Sequence, residues 1–561
     1  MPNSSHSRLL DMPAEAMEAC FSLLDAVSLV TCRLICKKIK KLIDRSETLR
    51  YILALNMCGM SDNPSISCSI PLQERVTRLR RYDDARKELS FSTYRELPLS
   101  AGSRVVVSGG YVIAMGAGKV TVHRPASKLR GIESRTWSFS FEQQCEDAGV
   151  DSERDLLAIV SDMGNHKQEL HFLSLATGNY HPSAFKARIA LGRDSPRIVG
   201  ERVFYNKRVY DWRTGKTCAF ETDELVVLSD EHALKFDLDE DDIHSSDVGW
   251  PCPIFKAYRV PPLTLDESLS SQNQARGRYD SSVPDAMKEP ARAILTFPCF
   301  SSLTLHYDTG IQFDNALMPY SADRDGIFYT DTNDRIIRVD IVFTGHQGDD
   351  PNPSISILLW RSLLLRYVAS SDVLPSRVGW NAWSTAACIG PSRRYPFVHG
   401  KSGPRALVNS RASYNDLYSV GSCSDSYEEE YIAGEDEESG SGPRPIRVRD
   451  YHRRRTSRPV NASKEPFSVV AGGEHKSYLK RDWIGEASSA EEYEEEEKPD
   501  IWEGVRPTLP VNTSSWKYIA TERDPPPELK GKAGGKYLLL DDGLVYVEKQ
   551  AEKVTAHIFT Y

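Results

Sequence analysis

Apolar positions recur at helical spacing through the first hundred residues, and from about residue 101 the period becomes strand-like and largely stays so. Met17, Cys20, Phe21 and Leu24 fall on one helical stripe. Asp11 is placed to cap that helix, with Pro13 in its first turn, where a missing N–H costs nothing. Asp25 and Ser28 punctuate the chain before Leu29, Val30 and Cys32. A third run, Leu34, Ile35, Ile39, Leu42 and Ile43, carries Lys37, Lys38, Lys40 and Lys41 between its apolar positions. Three helices in roughly 40 residues bury little core. Each large apolar side chain left outside would gain about 1.5–3 kcal/mol on full burial. The pattern predicts a module that docks on a partner, not a stand-alone domain.

Residues 61–100 read as a connector. Pro64 and Pro71 break its first part, and then Leu72, Val76, Leu79, Tyr82, Arg86 and Leu89 recur at helical spacing among Arg75, Arg78, Arg80, Arg81 and Lys87. This predicts a basic amphipathic helix bracing the next domain. Beyond it, short apolar or alternating runs at 104–108, 111–114, 119–123, 156–160, 169–175, 303–310, 326–331, 335–343, 445–450 and 536–547 predict antiparallel strands. Thr177-Gly178 and Thr214-Gly215 predict turns that need positive φ, and Asp541-Asp542-Gly543 predicts a hairpin turn. The two Thr-Gly turns lie about forty residues apart, near the period of a propeller blade. A degenerate β-propeller-like domain over 101–561 is the expectation, with stacked β-sandwiches as the rival. The segment from Tyr210 to Gly215 has the look of a worn WD-repeat unit. The fold class expected is thus multidomain, α plus all-β.

The N-terminal helices resemble the F-box family. The resemblance rests on Leu10, Pro13 and Glu15, on Phe21 followed by Leu24 and Asp25, on Leu29, on the run Cys32, Arg33, Ile35, Cys36 and Lys37, on Leu42, Ile43 and Asp44, and on Leu49 and Arg50. It implies a helical module over 8–60 that binds a Skp-type adaptor, and through it cullin and RING subunits of a ubiquitin ligase. The implied adaptor face is Met12, Pro13, Met17, Phe21, Leu24, Leu29, Ile35, Cys36, Leu42 and Ile43. Two positions depart from the family pattern: Ala16 replaces an aliphatic residue and Leu49 replaces a Trp, both trimming contact area. A helical module followed by a connector and strands resembles many fungal F-box proteins. The chain is therefore expected to be a non-enzymatic substrate-recognition subunit whose β domain binds an unknown target protein. The alternative is a propeller scaffold or enzyme whose N-terminal helices merely cap it, with no ubiquitin role.

Composition narrows the partners. The 561-residue chain exceeds what one small core supports, and 70 Lys and Arg against 79 Asp and Glu give a net charge of −9, which argues against general nucleic-acid binding. Eleven Cys without paired short spacing read as reduced thiols, so a cytoplasmic or nuclear location is expected. The start of the chain lacks the apolar core of a signal peptide, and the most apolar later run, 355–369, is broken by Arg361 and Arg366, so no membrane association is expected. Asn461 and Asn512 satisfy the glycosylation pattern, which an intracellular chain does not use.

Two acidic stretches, near 421–444 and 484–506, hold runs such as 435–438 and 494–497 and predict disordered insertions. Between them Arg447, Arg449, Arg453, Arg454 and Arg455 form an arginine-dense strand and turn. Its charge is answered by the acidic insertions, or its basic edge binds an acidic or phosphorylated target, or it serves nuclear import. No catalytic constellation survives inspection. The 116–119 run has Ile113 where a phosphate loop needs its first Gly and Val120 where it needs a hydroxyl. The acidic run that begins at Asp237 has Asp242 where a calcium loop needs Gly and Val248 where it needs a bidentate Glu. No cofactor or metal site is expected. Deletion of 423–443 is expected to leave the strand-rich region folded, with an unchanged melting temperature in a thermal denaturation scan.

Overall fold

The computed structural model describes residues 11–100, then 102–219 and 518–561 apart from short gaps, and between 220 and 517 chiefly the elements named below. The helices are α1 (Ala14–Ser22), α2 (Ala26–Ile35), α3 (Lys37–Arg45), α4 (Glu47–Cys58), the short α5 (Pro64–Ser67), α6 (Leu72–Glu88) and, much later, α7 (Arg361–Ala369). The expected Asp11 cap is not made: Pro13 is the N-cap of α1 and no side chain bonds the helix end. Asp25 does cap α2, accepting from the Ser28 amide at 2.8 Å.

The apolar run from Leu34 to Ile43 is two helices, not one. Cys36 is extended, with φ −156° and ψ 162°, and both ends α2 and starts α3. The break turns Ile39 and Ile43 into a core with Met17, Phe21, Leu29 and Leu49, and leaves Leu34 and Ile35 at the outer end of α2. Cys20, expected on the buried stripe of α1, is exposed. Ser46 caps α4 through the Leu49 amide at 3.1 Å and donates to Glu18 at 2.6 Å, pinning α1 to α4.

Helix α4 belongs to two cores. Leu49, Ile52 and Leu53 face α1 to α3, whereas Tyr51, Leu55 and Cys58 pack with Leu79 and Tyr82 of α6 and with Phe328 and Tyr561. Both sets follow the three- and four-residue spacing that puts side chains on one helix face. The predicted connector helix is α6, and it braces the helices against the strands that follow.

Those strands form a series of small sheets. Sheet 1 holds Arg104–Ser108, Tyr111–Gly116, Lys119–Arg124 and Arg135–Ser140. Sheet 2 holds Gln144–Asp151, Leu156–Asp162, Gln168–Ser174 and Arg188–Leu191. Sheet 3 has Arg197–Val199, Arg202–Tyr205, Arg208–Asp211 and Lys216–Ala219, with Thr264–Leu265 beside the last. In sheet 4, Leu225–Val227, His232–Asp239, Cys252–Arg259 and Ala293–Thr296 are followed outward by Ser376–Val378, the one parallel pairing within it. Sheet 5 comprises Thr309–Phe313, Ile336–Phe343, Ser354–Trp360 and Ala387–Pro391. Sheet 6 runs Phe397–Ser402, Arg405–Val408, Ile446–Asp450 and Tyr518–Arg523, with Ser468–Val470 outside. Sheet 7 joins the chain's last three strands, Lys536–Leu540, Gly543–Gln550 and Lys553–Thr560, to Thr93–Leu99, which pairs antiparallel with the last of them.

Apolar faces stack these sheets. Ile446 of sheet 6 packs with Leu539 and Leu544 of sheet 7, whose Val545 and Ile558 meet Val105 and Val112 of sheet 1. Ile113 and Val122 of sheet 1 meet Val150 and Ile159 of sheet 2, Phe172 of sheet 2 meets Val203 and Trp212, and Val209 of sheet 3 meets Leu225 and Ala233 of sheet 4. The Arg361 guanidinium at the start of α7 donates to the Leu228 carbonyl in the first turn of sheet 4. Among the described residues the stack is a series of small antiparallel sheets, and no described contact closes it into the expected ring.

The predicted Thr-Gly turns recur at the same place, between the third and fourth strands of sheets 2 and 3. Gly178 and Gly215 have φ of 73° and 74°. A Cβ on Gly178 would lie 2.4 Å from a ring carbon of Phe139, and one on Gly215 would lie 2.3 Å from a ring carbon of Phe185. Each glycine thus makes room for an aromatic ring as well as a turn. The expected strand in 326–331 is Phe328–Thr330, and it pairs with Met60–Asp62, the strand that follows α4.

That pairing belongs to a buried junction of segments distant in sequence. Arg130, in the third turn of sheet 1, is 1 % exposed. Its Nε donates to the Phe328 carbonyl at 2.8 Å and its Nη1 to Asp542 Oδ2 at 2.6 Å. The Tyr82 hydroxyl of α6 donates to the other Asp542 oxygen at 2.8 Å. Asn63 reaches the same place, its amide side chain donating to the Gly326 carbonyl at 3.1 Å. Removing one partner strands a buried charge, which costs about 3–5 kcal/mol. Arg130→Met should therefore lower unfolding free energy by about that much in urea denaturation, and Arg130→Met with Asp542→Asn should lose less than the single variant, because no buried charge is left alone.

Candidate functional site

The helical core divides the ten expected adaptor-face residues. Met17, Phe21, Leu29 and Ile43 are interior, Met12, Leu24, Cys36 and Leu42 are half-covered, and Pro13 and Ile35 are exposed. The outward apolar surface lies elsewhere: Leu23 at the end of α1 is 86 % exposed, and Val30, Leu34 and Ile35 of α2 are 49 %, 81 % and 66 % exposed. Val30 and Leu34 are one helical turn apart and share a face. Arg33 of α2 and Asp44 of α3 pair at 2.7 Å, holding the two helices together across the break at Cys36. Lys37, Lys38, Lys40 and Lys41 are exposed beside this row. Leu23, Val30 and Leu34 were missed from sequence. The available signal was the adjacent pair Leu34 and Ile35, which cannot both point into one core with Leu29.

An apolar row left outside a complete helical core, at the N-terminus of a chain rich in small sheets, is what a docking module presents. Residues 9–51 match the F-box domain model. No curated protein matches the sequence. Among solved structures, an uncharacterized protein from Listeria monocytogenes EGD-e aligns at 7 % identity over 48 % of this chain and 84 % of its own, with a TM-score of 0.22. The WD40 domain of SCAP from fission yeast aligns at 8 % identity over 83 % of this chain and 94 % of its own, with a TM-score of 0.26. Scores this low leave both likenesses without weight. The F-box thus occupies α1 to α3 and the start of α4, and its last helix is shared with the connector.

The arginine patch is brought together only in part. Arg447 and Arg449 sit on Ile446–Asp450, the middle strand of sheet 6, and not on an edge. In register Arg447 lies opposite Glu522 and Arg449 opposite Ala520. Arg453, Arg454 and Arg455 lie outside the described residues, as do the acidic stretches at 421–444 and, but for Arg506, 484–506. The 116–119 run is a hairpin turn, Gly116 pairing with Lys119 and Gly118 at φ 72°. Asp237, the first residue of the supposed calcium loop, lies within a strand and pairs with Lys256 at 3.0 Å and Lys235 at 3.4 Å. Among the described residues no three His, Cys, Asp or Glu side chains are grouped to hold a metal ion.

One Ser–His contact has nucleophile geometry: Ser161 Oγ lies 2.8 Å from His171 Nε2. Both are fully buried, and no carboxylate bonds the other ring nitrogen, so nothing orients the imidazole as a base. The contact belongs instead to a structural series. His123, His171 and His557 lie on the third strands of sheets 1, 2 and 7, all within 1 % of full burial, each within hydrogen-bond distance of a hydroxyl: Thr136 at 2.6 Å, Ser161 at 2.8 Å and Tyr94 at 3.0 Å. Burial, aided by Arg95, lowers the His123 pKa to about 4, and burial with Arg188 lowers that of His171 to about 4. Burial also lowers His557, against the opposing pull of Glu548.

A folded-state value below the unfolded 6.5 means that the unfolded chain takes up protons first. The stabilisation from these neutral imidazoles is complete above pH 6.5 and is lost as pH falls toward 4. The melting temperature should drop across that window, and His171→Asn should drop by less over the same range when thermal scans at successive pH values are compared.

Proposed function

We propose that the chain is the substrate-recognition subunit of a Skp–cullin–F-box ubiquitin ligase. The F-box match over residues 9–51 carries this reading, and the exposed row Leu23, Val30, Leu34 and Ile35 gives the adaptor something to bury. The original face set enters the proposal in revised form: Pro13 and Ile35 touch the adaptor, the half-covered Met12, Leu24, Cys36 and Leu42 flank them, and the four interior residues hold the helices in place. The chain acts by proximity and orientation and supplies no chemistry of its own. Its reduced cysteines suit the cytoplasm or nucleus.

The finer architecture we read as a β-propeller. Supporting this are seven consecutive sheets of four or five strands, and a last sheet completed by a strand from before the first. In an up-and-down sheet the first and third turns emerge at one end. Arg130, Asp542 and the 326–331 segment all lie in such turns, so the helices sit on that end. The opposite end is left to the target protein, whose identity fold alone does not give.

Phe21→Ala tests folding and not the face, since truncating a buried Phe costs about 3–5 kcal/mol. The informative variant is Leu34→Glu with Ile35→Glu. Two large side chains lost from an interface at about 1.5–3 kcal/mol each weaken binding on the order of a hundredfold or more. Wild-type chain should co-purify with a Skp-type adaptor, and the double variant should not, at an unchanged melting temperature. No capture by the wild type would sink the proposal.

A further inference from the structure

Three sheets carry an extra strand on their outer edge: Thr264–Leu265 on sheet 3, Ser376–Val378 on sheet 4 and Ser468–Val470 on sheet 6. The chain thus covers outer edges by strand addition. Sheet 1 has no such addition among the described residues, and its outer strand, Arg135–Ser140, ends the sheet. The other outer strands without an added one are poorer templates. Thr93–Leu99 contains Pro98, Arg188–Leu191 has four residues, and Ala387–Pro391 ends in proline. Arg135–Ser140 has six residues and no proline, and Arg135, Thr136, Ser138 and Ser140 are exposed.

The ladder phase tells which amides face outward. The Phe141 amide donates to the Gly118 carbonyl at 3.1 Å, and the register runs Phe139 to Val120, Ser138 to Thr121 and Trp137 to Val122. Hydrogen-bonded pairs alternate, so the amides of Phe139, Trp137 and Arg135 face the inner strand and those of Ser140, Ser138 and Thr136 face away from the sheet.

Charge selects the occupant. Arg124 and Arg135 are cross-strand partners. Their guanidinium groups lie over the rings of Tyr111 and Trp137, 5.8 Å and 5.0 Å from the centroids, and the two rings meet edge to face at 6.2 Å. The rings fix both cations at the rim of the strand. Arg95 adds a third, donating to Ser134 at 2.8 Å beside Arg135.

We propose that Arg135–Ser140 is a strand-addition site for an extended acidic segment of a partner protein, with Arg95 and Arg135 reading its carboxylates. Main-chain bonds to Thr136, Ser138 and Ser140 supply affinity, and the arginines set polarity and charge preference. The site is independent of the adaptor face, which lies on α1 and α2.

The test is selection of a displayed random heptapeptide library on the full-length chain. Selected peptides should be rich in Asp and Glu and bind at least tenfold more weakly to Ser138→Pro, which removes one outward amide and leaves the inner ladder bonds intact. They should weaken similarly on Arg95→Gln with Arg135→Gln, which alters no backbone. Should the melting temperature of the proline variant fall, amide hydrogen exchange decides: bound peptide should slow exchange at Ser138 and Ser140 in the wild type. No enrichment over a mock selection, equal binding to the arginine double variant, or unchanged exchange at those amides would overturn the proposal.

Discussion

A buried guanidinium fixes how the helices meet the sheets. Arg130 is out of water, so each of its contacts has to be met by protein, and among the groups that meet them are the Phe328 carbonyl and the Asp542 carboxylate. Asp542 is then fully engaged, with Tyr82 on its second oxygen and its backbone carbonyl accepting from the Tyr561 amide at 2.9 Å. A pair of this kind contributes little net stability over an apolar substitute, because desolvation offsets attraction. Its effect falls on the alternatives: any other seating of α6 against sheets 1 and 7 leaves a bare charge in the interior. Two glycines allow the close approach. A Cβ at Gly326 would come within 2.9 Å of Arg130 Nε, and one at Gly543 within 1.8 Å of the Phe559 carbonyl.

From that junction the rest of the arrangement follows. Helix α6 is held by Tyr82 and packs on α4, and α4 is part of the F-box core. The path from the exposed row on α2 to the last strands of the chain is therefore packed side chains throughout, with no free linker. Met60–Asp62, directly after α4, is bonded into the sheet region through Phe328–Thr330. In the proposed role this rigidity is the useful property, since effective concentration depends on how narrowly two sites are held.

Much of the local structure was legible in the sequence. The strands at 104–108, 119–123 and 156–160, the connector helix and the two Thr-Gly turns follow from period and turn chemistry, which are short-range. The 541–543 turn was legible too, yet nothing nearby marks Asp542 as an anchor, because its ionic partner is 412 residues away in sequence. The F-box residues were recognisable, but their division into core and face was not. Periodicity finds an apolar stripe and is silent on what covers it, and the extended Cys36 that rotates Leu34 and Ile35 outward has no strong sequence mark. The repeat at Lys119-Val120-Thr121-Val122-His123 and Lys553-Val554-Thr555-Ala556-His557 was overlooked. It places a buried histidine on the third strand of two sheets that are neighbours in space.

The core of the F-box and its outward apolar row are different residues. Met17, Phe21, Leu29, Ile39, Ile43 and Leu49 complete a core without help from Leu23, Val30, Leu34 or Ile35. Had the exposed row been needed to hold the helices, substituting it would unfold them and the proposed binding could not be separated from folding. Because α4 draws further support from α6 and Tyr561, the small bundle tolerates carrying apolar surface that a free three-helix segment of its size would be driven to bury. The sheets and the junction at Arg130 thereby stabilise a module whose apolar row remains exposed.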